Sequence, residues 1–263
     1  MLKYIAIAAM LFGSTMALSA ASPEEKKAES HRLASELVVN YGGSAEPAVL
    51  QKLDGYIERT WATYINYFGT GDALAVKLAF LRARSASAAK RKKGVSAIWR
   101  QAIKLLPAST SGSRRLGYYA QAANASSAVK EFRAAEQFFA AARVFASSRG
   151  ENADKARLYM RLQELKTTAE GMEWRRLNDS LLDMRKYSEG FVSWSIPRLD
   201  ALLGEAEIRL SMQPNQGSEK RETLGDLKAK IVLVQKGMNG AVPPMHVDRI
   251  RTLFYALEDY FDL

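Results

Sequence analysis

Apolar residues recur at steps of three and four along almost the whole of this chain, and no stretch alternates convincingly with a period of two. Steps of three and four draw one stripe down a helix, whereas a half-buried strand needs alternation. The expected fold class is therefore all-α. The clearest stripe is Leu50, Leu53, Ile57, Trp61, Tyr64 and Phe68, closed by Gly69. Ser22-Pro23-Glu24-Glu25 marks a helix start: a serine cap, proline at the first helical position and a glutamate three residues after the cap. That helix should run to about Tyr41 and stop at Gly42-Gly43, with the next beginning near Glu46-Pro47. A third follows Asp72 and ends in Lys90-Arg91-Lys92-Lys93-Gly94; a fourth spans Val95 to Leu106 and stops at Pro107. Beyond the 108–113 Ala/Ser/Gly link, helices are expected over about 114–124, 127–147, 153–170, 172–187, 196–212, 219–238 and 245–261.

About eleven helices with short connections pair naturally as antiparallel hairpins. The pairs start near residues 23, 72, 113, 152, 196 and 245, at uneven intervals of roughly 39 to 49 residues. Within the expected 127–147 helix, Ala128-x3-Phe132-x2-Ala135 and Ala134-x3-Phe138-x2-Ala141 both resemble the second helix of a tetratricopeptide repeat. Tyr119, nine residues before Ala128, stands where the first-helix aromatic of such a repeat would be. The Leu116-Gly117 pair is displaced by one from that register, and the first-helix tryptophan is not in place. The resemblance covers about 35 residues and implies an α-solenoid array of the tetratricopeptide type, with an irregular helical bundle as the alternative. Residues 22–263 are expected to form a single all-helical domain, with a possible sub-boundary at the 107–113 link.

Charge is distributed unevenly. The chain has 38 bases and 28 acids, a formal charge of +10. Residues 73–130 hold twelve of the bases and none of the acids, so the remainder is nearly balanced. Basic helices ordinarily carry acidic partners one turn away. A tract lacking them points to an anionic partner. The residues expected to form one exposed electropositive face are Arg84, Lys90, Arg91, Lys93, Arg100, Arg114 and Arg115. Residues 90–106 also combine bases, Trp99 and an apolar stripe, as a surface-seeking amphipathic helix does. The same stripe would serve equally to bury the helix against a neighbour, and burial is the favoured reading.

The first 21 residues have the layout of a secretory signal: Met1-Leu2-Lys3, an uncharged core over Tyr4–Phe12, then small residues from Ala17. Cleavage is expected after Ser19 or Ala21. An exported, periplasmic bacterial protein is the expectation, and a cysteine-free chain of this length can bury enough surface to fold without disulfides. Export makes nucleic acid an unexpected partner, and leaves envelope proteins, anionic lipid, lipopolysaccharide and cell-wall polymer.

Signs of catalysis are thin. His31 and His246 lie near opposite ends of the chain, and both are expected at the surface. Asp54 with Glu58, and Asp179 with Asp183, are i,i+4 carboxylate pairs of the kind that usually make ordinary ion pairs. No phosphate-cradling glycine loop, nucleophile elbow or metal-ligand spacing is present. The sequence therefore points to a binding or scaffold protein rather than an enzyme, with no cofactor. A binder of anionic lipid or polymer through the basic face is the alternative, and an enzyme with an unrecognised carboxylate site a second.

Overall fold

The computed structural model describes residues 22–43, 45–91, 94–212 and 217–262. The leader expected over 1–21 and the site residue Lys93 lie outside them. Eleven α-helices are formed, and no strand occurs among the described residues. In chain order they are α1 (Pro23–Tyr41), α2 (Pro47–Phe68), α3 (Ala73–Ala88), α4 (Val95–Lys104), α5 (Gly112–Ala128), α6 (Phe132–Val144), α7 (Ala153–Thr168), α8 (Trp174–Ser188), α9 (Ile196–Met212), α10 (Gly217–Gly237) and α11 (Pro244–Asp262). Short 3-10 segments at Phe145–Asn152 and Ala169–Gly171 join α6 to α7 and follow α7. The helices divide into two compact units between Ala108 and Ser109, inside the 107–113 link.

In the first unit the helix ends follow from local chemistry. The Ser22 hydroxyl accepts from the Glu25 amide at 3.3 Å, and the Glu25 carboxylate accepts from the Ser22 amide at 2.7 Å, a complete capping box with Pro23 at the first helical position. Asp72 caps α3 by accepting from the Ala75 amide, and its other oxygen accepts from the Tyr64 hydroxyl at 2.7 Å. On α2, Leu50, Ile57, Trp61 and Tyr64 are buried, with Leu53 and Phe68 half-buried at the edges of the stripe. α4 turns Val95, Trp99, Ala102 and Ile103 inward. The Trp99 indole donates to the Ser87 hydroxyl at 2.9 Å. The apolar stripe of 95–106 thus belongs to the core of this unit and not to a membrane surface. Consecutive helices pack on each other, and α1 also touches α3.

Two expected helices end differently. α3 stops at Ala88, short of Lys90, and the expected 127–147 helix is interrupted at 129–131. The same device does both. Lys90 (φ 48°) and Lys130 (φ 64°) adopt the left-handed conformation, and the residues around them close Schellman motifs. The Arg91 amide donates to the Ala86 carbonyl and the Lys90 amide to that of Ser87. The Glu131 amide likewise donates to Ser126 and the Lys130 amide to Ser127. Of the two tetratricopeptide-like matches, Ala128–Phe132–Ala135 therefore crosses a turn, whereas Ala134–Phe138–Ala141 lies wholly within α6.

In the second unit α9 is the hub. Its leucines pack with Leu224, Leu227 and Ile231 of α10 and Ile250, Leu253 and Leu257 of α11, while Ala201 and Ile208 join the core of α7 and α8. The approach of α7 is close enough that a Cβ on Gly204 would stand 2.2 Å from Leu162 Cδ1, so only glycine fits there. Alternate helices α5, α7, α9 and α11 touch in succession, in addition to neighbours in sequence. Side-chain bonds between these alternate helices recur at a nearly constant separation. Gln163–Asn124, Ser127–Thr167, Tyr159–Asp200, Lys166–Glu207 and Arg249–Glu207 lie 39 to 42 residues apart, while His246–Asp200 and Arg249–Asp200 lie 46 and 49 apart. Phe138 and Leu253 are buried, as their stripes require, while Phe132, at the start of α6, is half-buried.

Candidate functional site

The seven bases expected on one face are distributed between the two units. In the first unit Arg91 is half-buried and engaged by carboxylates. Its Nε donates to Asp54 Oδ2 at 2.6 Å and its Nη1 to Glu58 Oε2 at 2.9 Å. Arg82 reaches the same Glu58 carboxylate from α3 and lies over the Trp61 ring, 5.5 Å from its centroid. The Ser85 hydroxyl, fully buried, donates to Asp54 Oδ1 at 2.9 Å. Burial pushes the Glu58 carboxyl up, but the hydrogen bonds and charge of Arg82 and Arg91 outweigh it and hold the group below its ordinary value. Burial likewise opposes the charged form of Arg91, and Asp54 and Glu58 more than restore it. For Arg82 and Arg91 the acids missing from 73–130 are therefore supplied by α2, 24 to 37 residues upstream.

The remaining members are mixed. Arg84 is half-buried and donates to the Gly42 carbonyl at 3.1 Å. Lys90 and Arg100 are exposed. In the second unit Arg114 is exposed, while Arg115 is half-buried and donates to the Thr110 carbonyl at 3.3 Å. Lys130, also from the tract, pairs with Glu170 at 2.8 Å on the surface.

A polar seam in the second unit was invisible in the sequence. Asp200 of α9 accepts from Tyr159 of α7 at 3.0 Å and from Arg249 of α11 at 2.7 Å, and lies 3.2 Å from His246 Nε2. Two turns on, Glu207 accepts two bonds from Arg249 and one from Lys166. His246, expected at the surface, is buried, because Asp200 is 46 residues away in sequence and nothing local shows the pairing. His31 is exposed as expected. A carboxylate that orients a histidine is half of a general-base arrangement. Here, however, the Asp200 charge is already shared with Arg249, and His246 Nδ1 is buried with no hydrogen-bond partner among the described residues. The seam pins α7, α9 and α11 together. Further along α9, Glu205 is fully buried and pairs with Arg209 at 2.8 Å. Asp179 and Asp183 are exposed, and among the described residues no cluster of histidine and carboxylate side chains could hold a metal ion.

A groove of ≈ 430 Å³ runs between α6, α7 and α8, lined by Arg143, Arg157, Arg161, Asp183, Met184 and Tyr187. Its arginines are matched from within: Arg143 and Arg161 both meet Glu164, and Arg157 meets Asp154. No helix is long and apolar enough to cross a membrane among the described residues. No family model matches the chain, and neither a curated protein nor a solved structure is similar to it at a significant level.

Proposed function

We propose that this chain is an exported helical-repeat binding protein of the α-solenoid, tetratricopeptide-like kind, which engages an acidic surface of another envelope protein. The observation that carries this reading is the packing of alternate helices in the second unit, with side-chain bonds at a spacing of 39 to 42 residues. Arrays built this way present extended surfaces to partners. The bases best placed for contact are Lys90, Arg100 and Arg114, all exposed. Binding to anionic lipid or polymer draws less support, because Trp99 and its stripe face the core.

Photo-crosslinking groups placed at positions 90, 100 and 114 in the native envelope test the reading, with position 91 as the inward-facing control. Adducts to one protein from the exposed positions, lost at raised salt, are expected. Adducts only to lipid or polymer, or none, would overturn it. The same material should begin at Ala20 or Ser22 by intact mass; retention of Met1–Phe12 would replace a soluble exported protein with a tethered one.

A further inference from the structure

The cleft between α8, the connection that follows it, α9 and α10 has a different chemistry from the surfaces considered so far. It encloses ≈ 280 Å³, with an apolar side made by Trp194, Leu202, Leu233 and Val234. Leu202 and Val234 are buried, but Trp194 is 45% and Leu233 58% exposed. Trp194 and Leu233 thus leave apolar surface open within one concavity. Trp194 is also seated by design: its ring lies against Gly237, the last residue of α10, where a Cβ would stand 2.2 Å from the ring. The glycine makes room for the indole, and the indole forms a wall of the cleft.

The same cleft is lined by Arg185, Arg198 and Lys230, against a single lining carboxylate, Glu189. The Arg198 guanidinium makes no hydrogen bond or ion pair among the described residues. Arg185 is only 20% exposed, yet its nearest acidic oxygens, on Glu205 and Asp226, are 3.6 and 3.8 Å away, beyond hydrogen-bond range. Lys230 alone has a close partner, Asp226 at 2.7 Å. A half-buried guanidinium carries five donors in a planar fork that suits a carboxylate. One fork without an acceptor, on Arg198, and one held only by longer ion pairs, on Arg185, line the same cleft as the apolar side chains and define a complementary ligand.

We infer that this cleft binds a small organic carboxylate: an apolar body of about one ring, lying on Trp194 and Leu233, with its carboxylate held by Arg198 and Arg185. The volume sits near the lower bound of ordinary ligand pockets, roughly 300 Å³, which limits the body to that size. Ligand entry removes apolar surface from water and supplies the acceptor that the Arg198 guanidinium lacks.

The test uses the full mature protein, 4-phenylbutyrate as the probe and its neutral amide as the control, followed by calorimetry and by tryptophan fluorescence. Saturable binding of the carboxylate in the roughly millimolar range is expected, with the amide weaker by about tenfold or more. Arg198→Gln should weaken the carboxylate about tenfold and leave the amide unchanged, since it removes charge and not the apolar wall. Trp194→Phe should abolish the fluorescence response while calorimetric binding persists in weakened form. Gly237→Ala should displace the indole and weaken both probes, with the helical signal retained. Equal affinity for carboxylate and amide on the wild-type protein, or no saturable binding at all, would overturn the assignment whatever the variants do.

Discussion

Reversing Arg91 is the sharpest test of how the basic tract is used. An exposed base of a solvated face tolerates reversal within about 0.5 kcal/mol. Arg91 instead bridges Asp54 and Glu58, with 28% of its own side chain exposed against 12% and 31% for the two carboxylates. Arg91→Glu removes two charge-assisted bonds and puts a third carboxylate beside two others. Breaking a fully buried pair costs about 3–5 kcal/mol; discounted for the remaining exposure, about 2–4 kcal/mol is expected. For a unit of this size each kcal/mol lowers Tm by roughly 4–8 °C, so the loss should exceed about 8 °C. Denaturant unfolding followed by Trp61 and Trp99, both buried in the first unit, measures it where it occurs. Lys77→Glu, on an exposed position of α3, is the control and should stay near neutral. Arg91→Glu within about 0.5 kcal/mol of wild type would show that the bridge contributes nothing and would return Arg91 to the open face.

Lys130→Gly and Lys90→Gly should each raise stability by about 1 kcal/mol, because a non-glycine residue in the left-handed region carries a steric cost of that order; unchanged or lowered denaturation midpoints would mean that these turns are not closed as described. Tyr159 should titrate at about 12, raised by burial and then by the Asp200 charge. Since the folded value lies above the ordinary 10.0, its contribution to stability is complete below pH 10 and lost as pH rises through the folded value. Ultraviolet titration should find the value lowered in Asp200→Asn, and an unshifted phenol would remove the contact. Trp61→Ala should cost about 3–5 kcal/mol by cutting the α2 stripe at its centre, with a near-neutral result placing that stripe in solvent.

The fold was legible because the punctuation is chemical. Ser22-Pro23-Glu25, Gly69, Asp72 and Pro107 each announce a helix end by a residue whose preference is strong and local. The pair starts read from the sequence, near 113, 152, 196 and 245, stand beside observed starts at 112, 153, 196 and 244. The breaks at Lys90 and Lys130 were not legible for the complementary reason. A Schellman turn normally advertises itself with glycine at the left-handed position, and here lysine occupies it. The alanine-rich 127–147 segment offers nothing else to mark a stop, so its helix reads as unbroken until backbone bonding is known.

The candidate site was less legible, because a helix packed among others finds ion-pair partners on the helix before or after it as well as one turn along itself. Counting charge over a stretch of sequence makes 73–130 look unsatisfied. Counting it over contacting helices removes Arg82 and Arg91 at once, since Glu58 and Asp54 face them from α2. The i,i+4 spacing of those two acids was the available clue: two carboxylates on one face of a half-buried helix need cations, and α2 carries none on that face. Asp200 follows the same logic at longer range, reaching Tyr159 and Arg249 across 41 and 49 residues. The bases of the tract left for an external anion are therefore exposed ones such as Lys90 and Arg114. That role falls too on Arg198, which lies outside the tract altogether and whose guanidinium makes no hydrogen bond or ion pair among the described residues. Position in a charge run is a poor guide to which arginine is free to bind; whether a neighbouring helix has already supplied its acceptor is the better one.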